Sequence, residues 1–189
     1  MRSLAIVVLT LLSVAGGSRA ATSSDAALAR AIVVHHADVP DSWGANIYDV
    51  PCLSPSHPGV PVTAHATSKW GGIAAGIWSA AAVAPSRALA RRLYDQVVMQ
   101  LPACVLSYVS KRSASRAVIV PLVSVTRSHI PPLGEASADW TIAPTQPAGR
   151  DPRALTAIAV RTGRAVAWYI GVPDVAAIRH ALARARTQS

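Results

Sequence analysis

Four groups of residues in this chain could carry chemistry. The first is His35-His36-Ala37-Asp38, which places three potential metal ligands within four residues, with His57 and His65 further along. Zinc and other divalent ions take such side chains as ligands. Adjacent residues on a helix, however, point about 100° apart, so His35 and His36 cannot both face one ion while a helix continues. The spacing also fits no standard zinc pattern. We expect His35 on a half-buried helix stripe, His36 in solvent, and no metal site. The second group is Glu135 and Asp139, the only close pair of acids in the C-terminal half that invites comparison with a glycosidase. Such an enzyme needs two carboxylates at a set separation with divergent pKa values. A loop position followed by a strand position imposes no such geometry. Nucleophilic catalysis needs an activated Ser or Cys beside a base. The chain beyond its N-terminal segment has no G-x-S-x-G turn. We expect no catalytic residue, no enzymatic activity and no cofactor.

The third group is the tryptophans. Phe is absent, and five Trp and four Tyr are the bulky elements among many Ala, Val, Ile and Leu. Trp78 and Trp168 lie in runs that are apolar throughout and are expected in the core. Trp43, Trp70 and Trp140 fall near strand ends or loops. An indole stacks well on sugars and lipids, so these three are the candidate ligand-binding residues, lining a cleft.

The fourth group is Cys52 and Cys104, whose chemistry depends on compartment. Met1-Arg2 supplies a positive start and residues 4–17 are apolar. Ser18-Arg19-Ala20 then offers small residues at both positions that a signal peptidase reads. Residues 1–20 therefore read as a secretory signal peptide cut before Ala21, and 21–189 as a single domain. In an oxidising compartment an isolated even pair of cysteines is expected to form a disulfide. The expected location is secreted, extracellular or cell-envelope associated.

Charge narrows the partners. The formal net charge is +9, with 16 Arg, 2 Lys and a single Glu; loss of Arg2 and Arg19 would leave +7. A basic surface attracts anionic lipid head groups, wall polymers or nucleic acid. The cations are scattered and no aromatic pattern of a nucleic-acid reader interleaves them, so nucleic acid is not expected. The apolar run 72–84 is too short to span a bilayer, and the domain is not expected to be membrane-spanning.

These residues must be positioned by regular elements. Ser24-Asp25 can cap a helix reaching about His36, and Pro40 follows its end. Residues 43–50 suggest a short strand, followed by the Pro-rich loop that carries Cys52. Residues 62–69 alternate weakly and are expected to form a strand, and 72–84 a strand apolar on both faces, which must be covered on both. Ser86–Leu101 is the clearest helix, with Leu89, Leu93, Val97 and Leu101 on one stripe, Arg87, Arg91 and Asp95 opposite, and Pro102 as its stop. Residues 116–126 form a β-rich run that Pro121 confines to an edge or bulge. Strands follow at 136–143, 155–161 and 164–170, the last two forming a hairpin around Thr162-Gly163. A helix with Val175, Ile178, Leu182 and Ala185 on one stripe ends the chain. Consecutive strands with short turns favour an α+β fold, an antiparallel sheet with helices packed on it.

Several short motifs carry a resemblance. They are Ala37-Asp38-Val39-Pro40-Asp41-Ser42-Trp43, a Cys in a Pro-rich loop, a helix ending Leu101-Pro102-Ala103-Cys104, Pro132-Leu133-Gly134-Glu135, and the hairpin Arg161-Thr162-Gly163-Arg164. Together they resemble the extracellular sensor domain of PknH-type bacterial kinases and the free-standing secreted proteins built on it. In order they are also similar to PsbP-like lipoproteins of the LpqN type. The chain has one Cys pair where the kinase domains have two, and neither a kinase portion nor an anchor. The resemblance implies a curved antiparallel β-sheet with helices packed on it, a cleft and no known catalysis. The expected function is therefore a non-enzymatic, sensor-like, ligand-binding domain of the bacterial cell envelope. Its partner would be an amphipathic or anionic envelope molecule, a lipid or glycan, held in the cleft. The alternative is an envelope protein–protein interaction module whose partner is another envelope protein; an extracellular hydrolase ranks third.

Overall fold

The structure is a computed structural model and describes residues 23–45, 52–56, 58–71, 75–114, 123–127, 130–144, 154–171 and 175–188. The signal segment, residues 46–50 of the first expected strand, and residues 116–122 of the β-rich run lie outside them. The described elements are α1 (Ser23–Ile32), a 3-10 turn (His36–Asp38), β1 (Gly44–Ala45), β2 (Ala64–Gly71) and β3 (Gly76–Val83). After these come α2 (Arg87–Ala114), β4 (Val123–Arg127), β5 (Ala136–Pro144), β6 (Leu155–Thr162), β7 (Ala165–Gly171) and α3 (Val175–Arg186). All seven strands join one antiparallel sheet in the order β1-β2-β3-β7-β6-β5-β4. The α+β expectation holds, and so does the bridge: Cys52 and Cys104 form a disulfide with their Cα atoms 5.6 Å apart.

Strands β3, β7 and β6 are the middle of the sheet, and their composition follows from it. Nearly every residue of β3 and β7 is buried, as a strand covered on both faces requires. Alternation then divides each strand between two cores. Ile77, Ala81 and Val83 join Ile158, Val160, Tyr169, α1 and α3 in one apolar cluster. Trp78, Ala80 and Ala82 join Ala157, Ala159, Trp168, Ile170 and α2 in the other. The chain thus builds a three-layer sandwich, with α1 and α3 above the sheet and α2 below. No described helix is long and apolar enough to cross a membrane.

Three boundaries differ from expectation. The helix opened by Ser86 does not stop at Pro102 but runs on to Ala114. Proline removes one helical hydrogen bond at a cost of about 3 kcal/mol. That cost is outweighed because Leu101 and Val105 continue the buried stripe and Cys104, two residues past the proline, is bonded to Cys52. The expected stripe itself is present, with Leu93, Val97 and Leu101 buried and Arg87, Arg91 and Asp95 exposed. Helix α1 ends at Ile32, earlier than His36, because the next backbone groups are claimed by side chains of the sheet. The hairpin turns on Gly163-Arg164, one residue later than expected, since Thr162 pairs with Ala165. Gly163 supplies the positive φ of 55° that this two-residue connection needs.

Candidate functional site

On the α1/α3 face the sheet presents a row of polar side chains, Ser68, Ser79 and Tyr169, aligned by strand register. The row takes up the end of α1. Val34 N–H donates to Ser79 Oγ at 3.0 Å, and Ser68 Oγ donates to the Val34 carbonyl at 2.6 Å. Ser68 has one proton and has spent it, so the 2.7 Å contact between the two hydroxyls must be donated by Ser79. Trp70 Nε1–H supplies a second donor to the same carbonyl at 2.7 Å, and Tyr169 OH donates to the Ile32 carbonyl at 2.8 Å. Burial drives the Tyr169 pKa far up, so the phenol remains a neutral donor.

The histidines diverge, but not on a helix as expected: α1 ends at Ile32, and His35 is extended. His35 Nε2–H donates to the Arg30 carbonyl at 2.8 Å, whereas exposed His36 donates to the Trp43 carbonyl at 3.0 Å. The His36 ring also lies 5.1 Å from the Trp70 ring, tilted by 44°. Asp38 turns inward, its carboxylate held by the Arg184 guanidinium and by His35 N–H at 2.7 Å. Burial alone would raise the Asp38 pKa, but these two hydrogen-bonding partners and the Arg184 charge outweigh it and hold the carboxyl below its ordinary range. Among the described residues no three His, Cys, Asp or Glu side chains are grouped to hold a metal ion. Glu135 pairs with Arg161 at 2.8 Å and caps the hairpin by accepting from Gly163 N–H at 3.1 Å. Asp139 accepts from Ile130 N–H at 3.4 Å and lies on the α1/α3 face. The two acids are thus occupied separately.

The three candidate tryptophans do not share one site. Trp43 and Trp70 come together around His36 on the α1/α3 face. Trp140 pairs with Ala157 and belongs to the opposite cluster, under α2, where it is 8 % exposed. Alternation decides this: strand partners of Trp140 on the same face are Ile170 and Trp78, and Trp70 lies on the other side of the sheet.

The α2 face instead holds a cleft that uses a different tryptophan. Leu53, Ser54, Pro58 and Gly59 form one wall, and Gln96, Val97 and Gln100 of α2 form the other. Trp168 also lines it, and the cavity is about 210 Å³. The disulfide stands beside it, joining Cys52 at the start of the loop wall to Cys104 on the helix wall. Two residues of the loop wall have positive φ, Leu53 at 50° and Gly59 at 76°. A Cβ on Gly59 would lie 2.9 Å from Gln96 Nε2, so glycine lets the Gln96 amide approach the loop. Trp168 is fully buried, and its indole Nε1, itself inaccessible, has no hydrogen-bond partner among the described residues.

Sequence reasoning placed Trp168 in the core correctly but gave it no part in a site. The available signal was Gln96 and Gln100, four apart and flanking the buried Val97, which puts two amides at the rim of the apolar stripe. That the Pro-rich loop would stand opposite them follows only from the disulfide.

No family model matches this chain, and no curated protein matches it. Among solved structures, it is similar to the extracellular domain of PknH from Mycobacterium tuberculosis, with a TM-score of 0.44 and 6 % identity over 77 % of this chain and 82 % of that one.

Proposed function

We propose that residues 21–189 form a non-enzymatic, sensor-like binding domain, released from its signal peptide into the cell envelope or beyond. There it holds part of an envelope lipid or glycan in the cleft between the Pro-rich loop and α2. The observation that carries this reading is the cleft itself: a cavity of about 210 Å³ over a fully buried indole, its two walls tied by a disulfide. Such a cavity is below the usual size of sites that engulf a whole small molecule, so it suits one end group of a larger ligand. The disulfide supports an oxidising compartment. An interaction module would instead present a contiguous apolar patch. Among the described residues the large exposed hydrophobics are Met99 and Val125, one on α2 and one on edge strand β4.

The test is tryptophan fluorescence titration of the secreted protein with lipid and glycan fractions of its host envelope, repeated with Gly59→Val. The valine side chain must displace Gln96 and narrow the cleft. Saturable binding that the substitution abolishes supports the reading; absence of binding to every fraction, or binding indifferent to the substitution, overturns it.

A further inference from the structure

We infer that the solvent-facing side of α2 docks on an anionic lipid bilayer, which it meets through a narrow apolar stripe and the arginines at one end of it. This surface adjoins the cleft, but neither reading depends on the other. Three observations carry it. The first is a second apolar stripe. Leu93, Val97, Leu101 and Val105 are the buried line of α2 and lie on the sheet. Met99, Pro102, Ala103 and Leu106 repeat the same helical spacing on the side turned away from it. Met99 is 80 % exposed, Ala103 is exposed, and Pro102 and Leu106 are half-buried. The strands that α2 packs against are β4 to β7, all on its inner side. A helix side left to water normally carries charged residues, yet residues 96–110 contain none.

The second observation is charge. Arg92 lies about two turns before Met99 on the same line, with Arg87 and Arg91 beside it, and all three are exposed. Arg127 of β4 is exposed on the same layer, level with Trp140 by register. None of these four forms an ion pair among the described residues, whereas Arg161, Arg164 and Arg184 each do. The exposed acids described on this side are Asp95, one turn beyond Arg91, and Glu135, which is held by Arg161. Arginines without an internal counter-charge attract anionic head groups.

The third is the combination of the two. A stable protein interface buries roughly 800 Å² per partner, and among the described residues of α2 Met99 is the one large hydrophobic that is fully exposed. A soluble polyanion is charged along its length and would find nothing to pair with on residues 96–110. A bilayer offers head-group phosphates to the arginines and an apolar layer just beneath them to Met99 and Leu106. Binding of this kind draws on charge and apolar area together, so a narrow stripe suffices.

The experiment is co-sedimentation of the disulfide-bonded mature protein with phosphatidylcholine vesicles, with and without phosphatidylglycerol, at low and high salt. We expect binding that requires phosphatidylglycerol and weakens with salt. An arginine near such a surface contributes about fivefold in affinity, so Arg91→Ser with Arg92→Ser should weaken binding about 25-fold. Met99→Ser, at an exposed position that does not threaten folding, should weaken it severalfold and remove most of the binding that persists in salt. Arg30→Ser with Arg179→Ser removes as much exposed charge from the α1/α3 layer and should change affinity by less than about threefold, because distant charges are screened. Equal losses from the two double variants would reduce the effect to overall charge and overturn the inference. Indifference to Met99→Ser, equal binding to both kinds of vesicle, or binding to neither would also overturn it. Soluble polyphosphate bound as tightly as the vesicles, or a dimer that Met99→Ser dissociates, would assign this side of α2 to a polyanion or to a second copy instead. The cleft is tested by its own titration with envelope fractions, so either reading can fail alone.

Discussion

The two faces of the sheet differ in how much polar hydrogen bonding they contain. Under α1 and α3, the backbone at the end of a helix is received by Ser68, Ser79, Trp70 and Tyr169, each placed by register on one row. Arg184 closes the edge of this region against Asp38 and the Val33 carbonyl. Arg164 does the same at the start of α1, where it meets buried Asp25, which also accepts from Thr63 at 2.6 Å. Under α2 the contacts are almost wholly apolar, alternating Trp with Ala across the strands, beside the cavity that Trp168 helps to line. Buried polar groups are normally paired.

That contrast can be broken most forcefully at the disulfide. Reduction, or Cys52→Ser with Cys104→Ser, removes a cross-link between residues 52 positions apart and should cost about 4 kcal/mol by the loop-entropy argument. Hydrogen exchange should rise along α2 and the loop, while the Val34 amide on the other face keeps its protection. Loss of protection on both faces together would mean that the two layers are one cooperative unit.

Next in size is Arg184→Ala. It leaves the Asp38 carboxylate, whose side chain is 4 % exposed, without its cation, and should lower stability by about 3 kcal/mol in urea unfolding. The pH dependence sharpens the point. The folded Asp38 pKa lies below its unfolded value of 3.8, so its contribution is fully present above that value and is lost as pH falls through it. The wild-type protein should lose stability below about pH 4, and the Arg184→Ala protein should show a shallower loss there. A profile unchanged by the substitution would remove Asp38 from the account.

Tyr169→Phe deletes the donor to the Ile32 carbonyl and should cost about 2 kcal/mol, the consequence of leaving a buried acceptor unpaired. Smallest is Gln100→Ala on the cleft wall, expected to change stability by less than about 0.5 kcal/mol because the side chain is exposed. If Gln100→Ala proved as destabilising as Tyr169→Phe, the cleft wall would be structural and the contrast between the faces would fail.

Residue order alone determined the layers of this protein. The apolar run of β3 demanded cover on both sides, the Leu93, Val97 and Leu101 stripe declared a helix with one inward face, and short turns declared antiparallel pairing. Those signals are local, since side-chain direction repeats every 2 or 3.6 residues and burial reads the repeat. The Cys52–Cys104 bridge was legible as well, there being no other cysteine to pair. What the order of residues could not decide was which distant side chains meet. Proximity to strand ends suggested that Trp43, Trp70 and Trp140 line one cleft. Register set Trp140 on the far face from Trp70 and put the inward indole of Trp168 opposite a loop more than a hundred residues away in sequence. Pro102 likewise reads as a stop in any local rule, and it is overridden because buried Leu101 and Val105 and the bonded Cys104 reward continuing the helix by more than one lost hydrogen bond.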